Sequence, residues 1–179
     1  MKNQINLLVI QIPQDLNKEI NNIRNKSFTK TGNPSFKMLE PCLLLGIYKN
    51  NKLPKHIDKI SQPILINKNA QCEDELLYFP VYNENGIINL KQNFILNELD
   101  LPLDKKICNK FLPLEKLLME NKYPIIFLAS NVKNKETNSY NLKKNYKIND
   151  IRLNLLNVKF TELGIIYSLL DYRHLSNCK

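Results

Sequence analysis

Two stretches of this chain repeat one plan, and the repeat constrains the fold more than any other feature. Each begins with a proline, continues as a short apolar strand and ends in a Lys-Asn step. The first reads EPCLLLGIYKN from Glu40, and the second reads YPIIFLASNVKN from Tyr123. Proline is tolerated at the first residue of a strand or on an edge strand, which explains its place in both. Two such strands predict two lobes related by a pseudo-twofold axis.

The other segments mix strands and helices without a regular alternation. Apolar runs predict strands at 5–12, 39–48, 63–67, 75–83, 123–130, 151–160 and 164–172. Helical spacing or a well-placed proline predicts helices at 13–26, 52–60 and 112–121. Turn chemistry predicts a loop at 27–35 and a turn at 84–86, while 87–99 is ambiguous between strand and helix. This order of elements predicts an α+β class.

The chain is strongly basic, with a formal net charge of +9 at pH 7. A basic balance favours a polyanionic partner such as RNA. The same excess of lysine accompanies the Lys-, Asn- and Ile-rich composition that AT-rich genomes produce. Both interpretations stay open.

Several protein classes are excluded by what the sequence lacks. The apolar run near the N-terminus is only about six residues, too short for a signal peptide or a membrane span, so we expect a cytoplasmic protein without membrane contact. No C-x-x-C pair joins the cysteines, and there are two histidines, so we expect free thiols and no metal site. The four glycines are not clustered, and no cofactor is expected. The cysteines are Cys42, Cys72, Cys108 and Cys178.

A basic segment with interleaved tyrosines occupies 131–150. Such a segment can follow a nucleic-acid backbone with its cations and stack bases on its rings, which predicts a nucleic-acid-binding surface. A polar insertion that only stays solvated has the same composition. The residues concerned are Lys133, Lys135, Tyr140, Lys143, Lys144, Tyr146 and Lys147.

The proline-led strands read PCLLLG at 41–46 and PIIFLA at 124–129. With this pattern of a proline followed by an apolar strand, the chain resembles the 2H phosphoesterase superfamily. The superfamily includes 2'-5' RNA ligases and RNA 2',3'-cyclic phosphodiesterases. Its two repeats read Pro-His-x-Thr-Leu-Gly or Pro-His-x-Thr-Leu-Ala. The strand–proline–helix opening, the middle strand at 75–81 and the closing Gly164, Tyr167 and Leu170 are also similar. The resemblance implies one domain over 1–179. It would have two lobes of mainly antiparallel sheet with flanking helices and a central cleft, and motif-equivalent strands at 39–48 and 124–130.

The resemblance implies a metal-free reaction in which two histidines act as general base and general acid while two hydroxyls hold the phosphate. Here the histidine positions are Cys42 and Ile125, and the hydroxyl positions are Leu44 and Phe127. Three of these side chains can neither transfer a proton nor donate a hydrogen bond, so no catalytic residue is assigned. Cys42 is expected to be a buried, inert thiol.

Three functions follow. The first is a non-catalytic relative that binds RNA, a nucleotide or another polyanion, or a protein or apolar ligand in the converted cleft. The second is an active phosphodiesterase using other groups, such as Glu40, Tyr48 or His56. The third is an unrelated α+β interaction module. His56 and His174 are expected to be ordinary exposed histidines, His56 on a surface helix and His174 just past the last strand.

Overall fold

A computed structural model of the chain shows a large antiparallel sheet accompanied by a long helix. The α+β class is therefore confirmed. The structure describes residues 4–37, 39–48, 50–57, 59–60, 62–73, 75–82, 125–132, 137–161 and 164–175. The predicted turn at 84–86, the ambiguous segment 87–99 and the helix at 112–121 lie outside these residues.

Within the described residues the sheet has nine strands, and all of their pairings are antiparallel. Their order across the sheet is β7-β3-β5-β6-β2-β1-β8-β9, and β4 pairs with β5. The strands are β1 (Gln4–Ile10), β2 (Leu43–Ile47), β3 (Ile64–Ile66), β4 (Gln71–Glu73), β5 (Leu76–Tyr82), β6 (Ile125–Ala129), β7 (Tyr146–Ile148), β8 (Arg152–Thr161) and β9 (Gly164–His174).

The helix α1 (Gln14–Thr31) starts and ends where its local chemistry dictates. Pro13 stands at its N-cap, and Asp15 in the first turn faces the positive end of the helix dipole. At the other end Gly32 adopts the left-handed conformation with φ of 67°, and its N–H donates to the carbonyl of Phe28. A glycine at this position avoids the steric cost that a side chain would add.

The predicted loop at 27–35 is wrong in its first half, because α1 continues to Thr31. The hydroxyls of Ser27 and Thr31 donate to the carbonyls of Ile23 and Ser27, at 2.7 Å each. These bonds keep the polar side chains satisfied inside a helix. The rest of the predicted loop contains a short 3-10 helix, Pro34–Lys37.

The predicted helix at 52–60 is also wrong, since none of its described residues is helical. Long-range contacts hold this segment instead. The Leu53 N–H donates to the Asp171 carboxylate at 3.0 Å, and the Ile60 N–H donates to the carbonyl of Leu175 at 2.9 Å. His56 is exposed there, but not on a helix.

The two proline-led strands lie side by side in the sheet. In the antiparallel pairing of β2 with β6, Leu43 is opposite Ile126 and Leu44 is opposite Ile125. Since an antiparallel pair has a local twofold axis, the two repeats are related by rotation at the level of these strands. The arrangement of two whole lobes around a cleft stays a prediction.

Alternate residues of these strands enter two separate apolar clusters. Leu43 and Leu45 join the main core, to which α1 contributes Leu16 and Ile20, whereas Leu44 points the other way. This is the period-2 alternation of a strand that is covered on both faces. We call the second cluster the motif cluster, and it consists of Ile5, Leu7, Val9, Leu39, Leu44, Leu76, Ile125, Phe127 and Val158.

Candidate functional site

The motif cluster brings together all four positions at which the resemblance places catalytic side chains. Leu44, Ile125 and Phe127 belong to it, and Cys42 packs against it. Leu44 and Ile125 are direct cross-strand partners, while Cys42 precedes β2 and Phe127 lies two residues beyond Ile125. The sequence therefore identified residues that are neighbours in space.

These side chains are packed closely rather than lining an open surface. The exposed fractions of Leu44, Ile125 and Phe127 are 3%, 4% and 4%. A phosphate placed among them would lose its hydration and gain no hydrogen-bond donor from them, which is strongly unfavourable. The face is suited to apolar packing and not to holding an anion.

Cys42 is not an activated nucleophile. Burial raises the pKa of its thiol to about 12, and the opposing effect of the nearby Arg24 charge is smaller. A thiol attacks as its thiolate, so such a group is almost entirely unreactive at neutral pH. The expected inert thiol agrees with this environment, but Cys42 is partly rather than fully buried.

Arg24 is a buried charge that the sequence analysis missed. Only 3% of its surface is exposed, and desolvation lowers its pKa, although the charge of Glu40 acts in the opposite direction. Its Nε has no hydrogen-bond partner among the described residues. The helical spacing of the sequence could have revealed its burial. Leu16, Ile20 and Arg24 recur every four residues and therefore share the buried side of α1.

Tyr167 of β9 is near the same group of residues. Burial raises the pKa of its phenol, assisted by the charges of Cys42 and Glu40, while a hydrogen bond from the Glu40 backbone partly opposes the shift. Neither this phenol nor the Cys42 thiol ionises near neutral pH. Neither group is therefore suited to general acid–base catalysis at neutral pH.

The groups considered for a non-standard catalytic site do not all lie together. Tyr48 is buried in the main core, whereas Glu40 and His56 are exposed. His174 ends β9 instead of following it, and its Nδ1 lies 3.4 Å from a carboxylate oxygen of Asp150. Glu40 lies beside the motif cluster, where its charge acts on Arg24 and Cys42, whereas Tyr48 is packed in the main core.

The basic segment is partly folded onto the main core. It contains a 3-10 helix, Thr137–Tyr140, and the strand β7. Tyr140 packs on the core and stacks on Phe36 with ring centroids 6.0 Å apart, and Tyr146 is 9% exposed. In this arrangement the Tyr146 ring supports the fold and presents no open face to a base.

Glu19 of α1 fixes the position of this segment. Its carboxylate accepts a hydrogen bond from the Tyr146 hydroxyl at 2.5 Å and one from the Lys143 backbone N–H at 2.6 Å. The Lys144 ammonium lies 5.0 Å from the centroid of the Tyr146 ring. Lys143, Lys144 and Lys147 are exposed, and Lys133 and Lys135 lie outside the described residues.

Within the described ranges, no group of three or more His, Cys, Asp or Glu side chains could hold a metal ion. The same residues contain no helix that is long and apolar enough to cross a membrane.

Comparison with solved structures identifies the architecture. The crystal structure of E. coli LigT in its apo form superposes with a TM-score of 0.62 at 13% identity, over 97% of this chain and 98% of LigT. LigT is a 2H phosphoesterase of the 2'-5' RNA ligase type. This chain has the 2H phosphoesterase fold.

Two other structures support the 2H phosphoesterase fold. The Thermus thermophilus protein TT0787 superposes with a TM-score of 0.57 at 10% identity, over 97% of this chain and all of TT0787. A crystal structure described as a phosphoesterase gives 0.54 at 12% identity, over 97% of this chain and 99% of that one. No protein-family model matches the chain. No curated protein sequence matches it either. The likeness therefore lies in the fold.

Proposed function

We propose that this protein is a non-catalytic member of the 2H phosphoesterase superfamily that binds RNA through its lysine-rich surface. The observation that carries the proposal is the burial of Leu44, Ile125 and Phe127 in one apolar cluster, at the positions where the resemblance implies catalytic residues. Apolar side chains that are buried in a core cannot exchange protons with a phosphodiester.

The cleft chemistry implied by the resemblance requires imidazole, which titrates near neutral pH and can act as either acid or base. The equivalent positions here carry Cys42, whose thiol pKa is about 12, and Ile125. Neither can act as an acid–base group at pH 7. The hydroxyls that would hold a phosphate are replaced by Leu44 and Phe127, which have no donor.

The proposed RNA surface is built around β7. Lys143, Lys144 and Lys147 are exposed there, and Glu19 holds the backbone of the segment in place. Lys68 is also exposed and lies beside them, since its N–H donates to the Asn145 side chain at 2.9 Å. Fixed cations lose less conformational entropy on binding than cations on a mobile loop. We expect them to bind RNA phosphates.

The test is fluorescence anisotropy of a short labelled RNA carrying either a 2',3'-cyclic phosphate or a plain hydroxyl end. Each binding curve is recorded at about 0.05 M and about 0.2 M salt, where phosphate contacts weaken sharply. The test variant replaces Lys143, Lys144 and Lys147 with glutamine. A matched control replaces Lys18, Lys26 and Lys30, three exposed lysines of α1, with glutamine and so removes the same charge.

We expect salt-sensitive binding that is equal for both RNA ends. For the β7 variant we expect a salt slope lower by about 2, at roughly 0.7 per phosphate contact, and little change for the α1 variant. Equal losses of RNA affinity in the two variants would show that binding depends only on the net charge of the protein. Tighter binding of the cyclic end would indicate a phosphate site and contradict the proposal. Absence of binding would redirect the search to a protein or apolar partner.

A further inference from the structure

The strand β9 lies at one edge of the sheet. Among the described residues it pairs with β8 on one side and has no neighbouring strand on the other. The open side of such a strand presents backbone N–H and C=O groups on which another chain can add a strand, and natural edge strands are often short for this reason. Because β9 spans 11 residues, its edge needs some other protection.

The composition of β9 offers little protection against strand addition. The strand contains neither lysine nor proline, two residues that commonly blunt an edge. Its exposed apolar side chains lie on both faces of the sheet. Ile166 is 57% exposed on the face of the main core, and Leu169 and Tyr172 are 48% and 46% exposed on the face of the motif cluster. A strand added here would cover apolar surface on both sides.

A β-bulge interrupts β9 at Leu170. Leu155 pairs with Asp171 and Leu156 pairs with Leu169, so Leu170 is an extra residue in the register. A bulge increases the local twist and makes an edge a poorer template for another strand. The bulge therefore protects the middle of β9, and the regular stretch from Asp171 to His174 follows it.

In this regular stretch the backbone of Tyr172 faces away from β8. The N–H of Gln11 donates to the carbonyl of Arg152 at 3.0 Å, so Arg152 turns its backbone towards the β1 side. Backbone groups alternate in direction along an antiparallel strand, so Asn154, two residues on, faces the same way. Its cross-strand partner is Tyr172, whose N–H and C=O therefore point outward from the sheet.

Asp171 and Arg173 occupy both outward groups of Tyr172. The Tyr172 N–H donates to Asp171 Oδ1 at 2.8 Å, and Arg173 Nη1 donates to the Tyr172 carbonyl at 2.8 Å. The same Nη1 lies 3.0 Å from Asp171 Oδ1, which closes a ring of hydrogen bonds around the outward-facing backbone. We call Asp171 and Arg173 the edge pair.

A further contact holds the edge pair in place. The Leu53 N–H donates to Asp171 Oδ2 at 3.0 Å. This bond lowers the pKa of Asp171 against an opposing effect of burial, and the bonds from Tyr172 and Arg173 lower it further, so the carboxylate is charged at neutral pH. An ion pair at the surface adds little stability by itself. The contacts of the edge pair with the Tyr172 backbone are therefore its distinctive feature.

We propose that the edge pair keeps β9 from pairing with β9 of a second copy of this chain. A second copy is the relevant partner because a strand can pair antiparallel with its own copy about a twofold axis. While the edge pair occupies the N–H and C=O of Tyr172, an approaching strand gains no hydrogen bond from them. The inference goes beyond the proposed RNA binding and does not rest on it.

The test variant is Arg173→Thr, which frees the Tyr172 carbonyl and introduces a residue that favours strands. Arg173 is exposed, so its replacement should leave the fold intact, which circular dichroism checks. Lys159→Thr is the matched control, because it removes one exposed positive charge from β8, a strand that is paired on both sides. Size-exclusion chromatography with light scattering measures the molar mass of the full chain up to about 0.5 mM, where weak dimers form.

We expect the unmodified protein and Lys159→Thr to stay monomeric. Arg173→Thr should dimerise at least about tenfold more tightly than either, since the freed carbonyl of each copy can accept a hydrogen bond across the dimer. Adding Tyr172→Pro to Arg173→Thr should restore the monomer, because proline at an outward-facing position has no N–H to donate and blocks the edge.

Four results would overturn the proposal. If Arg173→Thr stays monomeric, the bulge alone protects the edge. If its dimers persist with Tyr172→Pro, or if Lys159→Thr dimerises equally, association does not depend on the edge pair. A dimeric unmodified protein would show that the edge pair prevents nothing. Loss of the native circular dichroism spectrum in Arg173→Thr would assign the edge pair to stability instead.

Discussion

Leu44 on β2 stands directly opposite Ile125 on β6, and both side chains are buried in the motif cluster. The resemblance places a phosphate-binding hydroxyl at Leu44 and a catalytic histidine at Ile125. In this structure the pairing of the two strands serves to pack apolar side chains.

Leu44→Thr, which restores the hydroxyl, is expected to destabilise the protein. It removes buried apolar volume and buries a hydroxyl, so the free energy of unfolding should fall by about 2–5 kcal/mol. Urea unfolding followed by circular dichroism measures the change. Leu65→Thr is the matched control, because Leu65 lies on β3 with 49% exposure and should change stability by less than about 0.5 kcal/mol. Equal effects of the two substitutions would mean that Leu44 is not packed as described.

Cys42 is expected to alkylate very slowly in the folded protein. A thiol with a pKa of about 12 is only about 10⁻⁴ thiolate at pH 8, against roughly a tenth for an unperturbed thiol. In a variant with the other three cysteines replaced by serine, the rate with iodoacetamide should rise about tenfold per pH unit up to pH 10. The same variant unfolded in urea gives the reference rate. A rate that levels off below pH 10 would contradict a thiol that stays neutral in the folded protein.

Alkaline pH should destabilise the fold through Tyr146, which is buried, and Tyr167, which is partly buried. Burial, together with the Glu19 hydrogen bond, raises the pKa of Tyr146 to about 12, and burial also raises the pKa of Tyr167. Above pH 10 the unfolded chain loses phenolic protons that the native state keeps, so stability falls as pH rises from about 10 towards 12. Urea midpoints measured across this window should show the decline. Tyr146→Phe should make it shallower, and an unchanged slope in that variant would refute the role of Tyr146.

Removing the charge of Arg24 is expected not to lower the stability of the protein. Replacing a poorly paired buried charge with an apolar side chain of similar length often leaves stability unchanged or increases it by about 1–4 kcal/mol. Arg24→Met is therefore expected to keep or raise the free energy of unfolding. Thermal and urea unfolding measure this change. A loss above about 2 kcal/mol would show that the guanidinium makes stabilising contacts in the native state.

Much of the sheet could be predicted because its strands are marked locally. The run before Pro13 and the two proline-led strands are continuous apolar segments, and β1, β2 and β6 form there. The resemblance predicted that the motif positions of the two proline-led strands share one site. It did not predict which strands pair, and the direct pairing of Leu44 with Ile125 is a finding of the structure.

The missed features depend on contacts between distant residues. Residues 52–57 look helical, yet Asp171 and the carbonyl of Leu175 bind the backbone of this segment and its continuation. From the sequence, the tyrosines of the basic segment could stack on bases. In the structure Tyr146 donates a hydrogen bond to Glu19, and Tyr140 stacks on Phe36. No short window of sequence contains these partners.

The most direct test of the central claim is a hydrolysis assay on an RNA oligonucleotide ending in a 2',3'-cyclic phosphate. The purified protein is incubated with it near neutral pH, and mass spectrometry follows opening of the cyclic end. A packed motif cluster predicts no product beyond that of the protein-free reaction. Product that increases with protein concentration and disappears on substituting Glu40 or His56 with glutamine would contradict the account and establish an enzyme with non-standard catalytic groups.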